Sequence, residues 1–207
     1  MTSQGSFLYA AAILPERRVA LREILVGMNL RPGCVDPLNP VLPFARLGTV
    51  HFARVLIVTD LAEADRAVYQ LPLGVLPDYL VLLGEIDGRE PDFRLELVQH
   101  AETGLRHLFS HCVDWHDPPD LAAWLARRSL PPAASYVNWL GRTVRQVREE
   151  EQLRQMLEVF IASNTESLHA MQPQTLHQTL RTHIVKQQLA GHLRLTPEPD
   201  TARLVVA

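Results

Sequence analysis

Thr49-Val50-His51-Phe52-Ala53-Arg54-Val55-Leu56-Ile57-Val58-Thr59-Asp60 is the stretch whose reading decides the fold. Its β-branched and aromatic content predicts a strand. Side chains alternate along a strand, so His51 shares one face with Ala53, Val55 and Ile57. Arg54 shares the other with Val50, Phe52, Leu56 and Val58. Both faces are otherwise apolar, which predicts that both polar groups lie beside buried surface. Each then needs a partner, a carboxylate for Arg54 and a backbone group for His51.

Working outward, Phe7 to Leu14 reads as a first strand. Pro15 and Glu16 open a helix whose Leu21, Ile24, Leu25 and Met28 recur at helical spacing. Asn29 to Gly48 carries four prolines and reads as a long loop, either a binding surface or a packed irregular segment. After the His51 strand a short helix is expected around Leu61 to Gln70. Tyr79 to Gly84 is apolar on both faces and reads as a central strand. Pro91 opens a helix to about Cys112. A short helix around Trp124 follows, and Ser135 to Leu140 reads as a fourth strand. Strand, helix, strand, strand, helix, strand is the ferredoxin-like order, an α+β antiparallel sheet with its helices on one face. The remainder is helical. Thr143-x-x-Gln146 spells a capping box opening a helix to about Ser163, and a last helix spans about Gln174 to Ala190. The expected domains are residues 1–141, ferredoxin-like, and 142–207, a helical extension packed on it.

Composition narrows the function classes. The chain has 207 residues, 47% of them hydrophobic, and a net charge of −3, so nothing suggests a nucleic-acid partner. Cys34 and Cys112 are the only cysteines, far apart and outside metal-type spacing. No apolar run reaches bilayer length and no signal-like start is present, so the expectation is a cytoplasmic protein with no membrane partner. Phosphate-binding glycine loops, serine-nucleophile elbows and paired-cysteine zinc patterns are missing from the sequence.

Four blocks carry a resemblance. Thr49-Val-His-Phe-Ala-Arg54, Gly84-Glu-Ile-Asp-Gly88, Gly104-Leu-Arg-His-Leu-Phe-Ser-His-Cys112 and the run Gly141 to Arg154 are similar to a poorly characterised microbial, peroxidase-like group of the dimeric α+β-barrel superfamily. Dye-decolourising peroxidases, chlorite dismutases and small cofactor-free monooxygenases belong to that superfamily. The resemblance implies a homodimer whose two sheets enclose a barrel, and a small-molecule oxidoreductase, haem-dependent or cofactor-free. Gly84-x-x-Asp87-Gly88 has the spelling of the peroxidases' distal motif. In the haem version His51 or His111 is the candidate iron ligand, and Arg54 and Asp87 are the catalytic candidates on the peroxide side.

Three further readings stand beside that one. His107 and His111 are four apart on a helix, and His116 follows in the next loop, a candidate metal set. Tyr136 and Asn138 share a face of the fourth strand and are candidates to orient a small apolar molecule. The same cavity could serve a non-enzymatic carrier or protein-interaction partner, with Arg31 to Pro43 and the last helix as its contact surface.

Overall fold

The computed structural model describes residues 4–59, 68–70, 77–134 and 141–196. Contacts divide the chain into two units, Thr2–Leu140 and Gly141–Ala207. The N-terminal unit is α+β, built on a three-stranded antiparallel sheet. Its strands are β1 (Gln4–Ala12), β4 (Val50–Val58) and β5 (Tyr79–Asp87), in the order β1-β5-β4. Between β1 and β4 come helix α1 (Arg18–Gly27) and a small hairpin, β2 (Asn29–Arg31) with β3 (Cys34–Val35). Helices α2 (Glu90–Phe109) and α3 (Leu121–Ala126) follow β5.

β5 is central because its sequence can be buried on both sides. Leu80, Leu82, Gly84 and Ile86 face the helices, and Val81 is buried on the opposite face. All nine residues of β5 pair with β1, from Gln4 opposite Asp87 to Ala12 opposite Tyr79. On the helix side Phe7, Tyr9 and Ala11 of β1, and Ile13 just after it, complete the core with Leu21 of α1, Phe93 and Leu97 of α2, and Trp124 of α3. The Phe7 and Phe93 rings lie 4.5 Å apart between centroids. This burial is the main driving force for the unit.

The outer edge of β1 is met by two isolated bridges, at Ser129 opposite Tyr9 and Cys112 opposite Ile13. The Ser135 to Leu140 segment expected as a fourth strand lies outside the described residues, as does 61–67 of the expected short helix.

Of the two readings of the proline-rich stretch from Asn29 to Gly48, the packed segment is the one the structure shows, and it contains a short hairpin. Arg31-Pro32-Gly33-Cys34 turns the β2–β3 hairpin, with Gly33 at φ +76°, the value a type II turn requires after proline. Leu42 and Leu47 are fully buried, so the segment is packed. It crosses α2 at Gly104, where an added Cβ would run into the Val41 backbone. Glycine is therefore required there by close approach.

Among the described residues the C-terminal unit contains α4 (Val144–Ser163), α5 (Thr165–His169) and α6 (Pro173–Leu189). α4 opens on the expected capping box: Thr143 Oγ1 accepts from Gln146 N at 3.2 Å, and Gln146 Oε1 accepts from Thr143 N at 2.8 Å. Glu149, buried on α4, accepts from Thr196 N and Thr196 Oγ1 and from Arg145 Nε. Burial acts to raise the Glu149 carboxyl, but these donors outweigh it and hold the group below the usual carboxylate range. α6 contains no buried residue. No helix among the described residues is long and apolar enough to cross a membrane.

Candidate functional site

The site grows from an irregularity at the start of β4. Val50 pairs with Ile86 and Phe52 with Glu85, so His51 is an extra residue opposite a single step of β5. This bulge breaks the strict alternation read from the sequence. It brings His51 to Asp87, the last residue of β5, with Nε2 2.8 Å from Oδ1. The approach to the bulge is tied down on both sides. Thr49 O accepts from Asp87 N at 2.7 Å, and Glu96 of α2 accepts from Gly48 N and Thr49 Oγ1 at 2.7 and 2.6 Å.

The pair is largely shielded, with 19% of the His51 and 9% of the Asp87 side chain exposed. Gln4, opposite Asp87 on β1, brings its Nε2 to 3.5 Å from His51 Nε2. A carboxylate only accepts hydrogen bonds, so the Asp87 contact favours the tautomer protonated at Nε2. Nδ1 then carries the lone pair, and it has no hydrogen-bond partner among the described residues. A buried carboxylate orienting an imidazole with a free nitrogen is the arrangement of a general base.

His51 opens onto a groove of about 830 Å³ along the outer side of β4. One wall is the strand itself, from Val50 to Leu56. The other comes from Leu25 and Met28 at the end of α1, Val35 of the hairpin, and Phe44. Arg54 lines the same groove, but not as expected. It is exposed and pairs with no carboxylate among the described residues; its guanidinium lies 4.9 Å from the centre of the Phe52 ring. The outer face of β4 carries Phe52 and Val58 at 42% and 44% exposure, which explains why no buried carboxylate is needed.

Gly84 and Gly88 each have a structural reason. A Cβ on Gly84 would sit 2.8 Å from the Phe7 ring and collide with the Phe52 carbonyl. Gly88 has φ +94° in the turn from β5 into α2.

The remaining sequence candidates fall elsewhere. His111 is buried just past the end of α2. Its Nδ1 faces His107 O at 3.0 Å, and its own carbonyl accepts from Leu14 N. Leu14 lies ten residues beyond Gln4 along β1, so His111 and His51 are separated by roughly 30 Å. His51 Nε2 is engaged by Asp87, and Arg54 lines the same groove as His51.

The His107 and His111 rings are 5.7 Å apart, while His116 is turned to the carbonyl of Asp114. The described residues contain no group of three or more side chains placed to hold a metal ion. Tyr136 and Asn138 lie outside the described residues.

Two polar features escaped the sequence reading. Gln4 comes to lie beside the His51–Asp87 pair only through strand register. Tyr9, fully buried, donates to Glu90 Oε1 at 2.6 Å, and Arg94 donates to both Glu90 oxygens. Burial, and then the Glu90 carboxylate, push the Tyr9 hydroxyl far above its usual range, so it stays protonated. Tyr9 alternates with Phe7 and Ala11 on β1 and Glu90 precedes Pro91, so the core position of one and the helix-start position of the other were readable. Their meeting was not.

Compared with protein-family models, curated proteins and solved structures, the chain matches none. Function is therefore to be read from the groove and the dyad.

Proposed function

We propose that the N-terminal unit is a cofactor-free oxidoreductase acting on a small apolar molecule bound beside β4, with His51 as the base. The observation that carries this reading is the 2.8 Å contact between His51 Nε2 and Asp87 Oδ1 at the mouth of an apolar groove. Asp87 fixes the ring and stabilises the imidazolium formed when Nδ1 takes a proton from a substrate C–H or O–H bond. The electron pair left on the substrate is then available to dioxygen, the oxidant this reading requires. Bond formation between the two gives a substrate peroxide, which takes the proton back from Nδ1, so substrate and dioxygen combine without loss of atoms. The order β1-β5-β4, with α1 carrying the chain from β1 to β4, supports the first half of a ferredoxin-like unit. The homodimeric barrel belongs to the same proposal. Its support is the apolar sheet face that leaves Phe52, Val58 and Tyr79 partly exposed.

The test is oxygen uptake by purified protein, free of added metal or haem, with naphthols, hydroquinones and 1,3-diones. The expected result is uptake with at least one class and a loss of about 10²-fold or more in His51→Gln, the size of a general-base contribution. Uptake unchanged in His51→Gln, or none with any class, counts against the reading. A spectrum recorded during haem titration separates the haem version. A saturable Soret band altered in His51→Ala would replace the cofactor-free account.

A further inference from the structure

The proton-transfer reading leaves the substrate's chemistry open, and Arg54 narrows it. The groove is lined by seven consecutive residues, Val50 to Leu56, a length of roughly 20 Å at strand rise. Its walls are mostly hydrocarbon, from Leu25, Met28, Val35, Phe44, Val55 and Leu56. In this apolar lining stands one arginine that makes no ion pair with any described residue. Its guanidinium is turned along the strand over Phe52, the direction in which His51 lies. No described carboxylate occupies its N–H groups, and a guanidinium offers them as a fork that suits a carboxylate. The nearby acid, Glu85 across from Phe52, is exposed and forms no bridge to Arg54.

We propose that the groove selects an apolar carboxylate, its anionic end held by Arg54 and its reacting bond turned to His51. This rests on the function proposed above for the same groove, but it concerns binding and is measured without turnover. The hydrocarbon part lies against the α1 and hairpin wall. The carboxylate replaces water on a guanidinium already held by Phe52, so little side-chain ordering is added on binding. An amine or a cationic ligand is disfavoured by the same charge.

The experiment is a fluorescence titration of the full chain with 2-naphthoate and with its neutral counterpart 2-naphthylmethanol. Wild type is expected to bind the carboxylate about tenfold or more tighter than the alcohol, with the difference shrinking in high salt. Arg54→Gln, at an exposed position and checked for folding by circular dichroism, is expected to bring the two affinities together. Arg54→Lys is expected to keep part of the preference. Equal affinities in wild type, an undiminished preference in Arg54→Gln, or no saturable binding of either probe would each overturn the proposal. If carboxylate selectivity appears without oxygen uptake, the binding assignment stands and the oxidoreductase reading fails. If uptake ignores Arg54→Gln with carboxylate and neutral substrates alike, the oxidoreductase reading stands and the binding assignment fails.

Discussion

Cys34 and Cys112 carry the same thiol in two surroundings. Cys112 is 1% exposed where the chain bridges to Ile13, and burial pushes its thiol up to about 12. Cys34 lies half-buried in the β2–β3 hairpin. Because the thiolate is the nucleophile, iodoacetamide at pH 8 is expected to label Cys34 and spare Cys112 until the protein is unfolded, as mass spectrometry would show. Fast double labelling of native protein would contradict the packing. The raised thiol also sets a sign for stability. The folded state holds the proton more tightly than the unfolded chain, so the contribution is intact below about pH 9 and is lost as pH rises toward about 12. At this scale the sequence was a partial guide. The need of His51 for a partner followed from its strand, but the partner, Asp87, is 36 positions away. The bulge that joins them is a property of β4 paired with β5, which no local pattern encodes. Arg54 misled because apolar neighbours suggested burial, whereas β4 is an edge strand among the described residues and its outer face is exposed.

Elements were legible where hydrophobic period and capping agree. β1 and β5 announce themselves as short apolar runs, α1 and α2 by helical spacing and by Pro15 and Pro91, and α4 by its capping box. The β2–β3 hairpin was hidden because strands of three and two residues are too short to show a period. The glycines give a direct check on how the elements pack. Adding a methyl at Gly84 presses on the Phe7 ring and the Phe52 carbonyl, and adding one at Gly104 presses on the Val41 backbone. Gly84→Ala and Gly104→Ala are each expected to cost about 1–3 kcal/mol in urea unfolding, the usual range for an overpacked core. Gly27, at the end of α1, has no atom of another residue within 4 Å of the place a Cβ would take, its chain neighbours and own helix backbone aside. Gly27→Ala is therefore expected to be neutral or to stabilise by up to about 1 kcal/mol through the unfolded chain. A loss at Gly27 as large as at Gly84 would mean that close approach is not what selects glycine in this protein.

At the scale of the molecule the two units differ in how they hold their backbone. β5 is hydrogen-bonded to a strand on each side and buries Leu80, Val81, Leu82 and Ile86. α6 runs for 17 residues without burying one, and Val185 and Leu189 remain 44% and 84% exposed. Helices of that length are marginal in water unless an apolar face is covered, so local opening of α6 costs little, whereas exposing β5 requires the N-terminal core to come apart. Hydrogen exchange on the full chain at neutral pH is accordingly expected to show β5 amides as the slowest and α6 amides exchanging at least ~10²-fold faster. α4 should fall between them near its start, where the Thr143–Gln146 box and the Glu149 clamp on Thr196 hold its first turns. Equal protection of α6 and β5 would show that α6 is covered. Protection that grows with protein concentration would identify the cover as another copy of the chain, because only self-association responds to concentration in a purified sample. Protection independent of concentration, in a protein that sediments as a monomer, would show that α6 is held within its own chain.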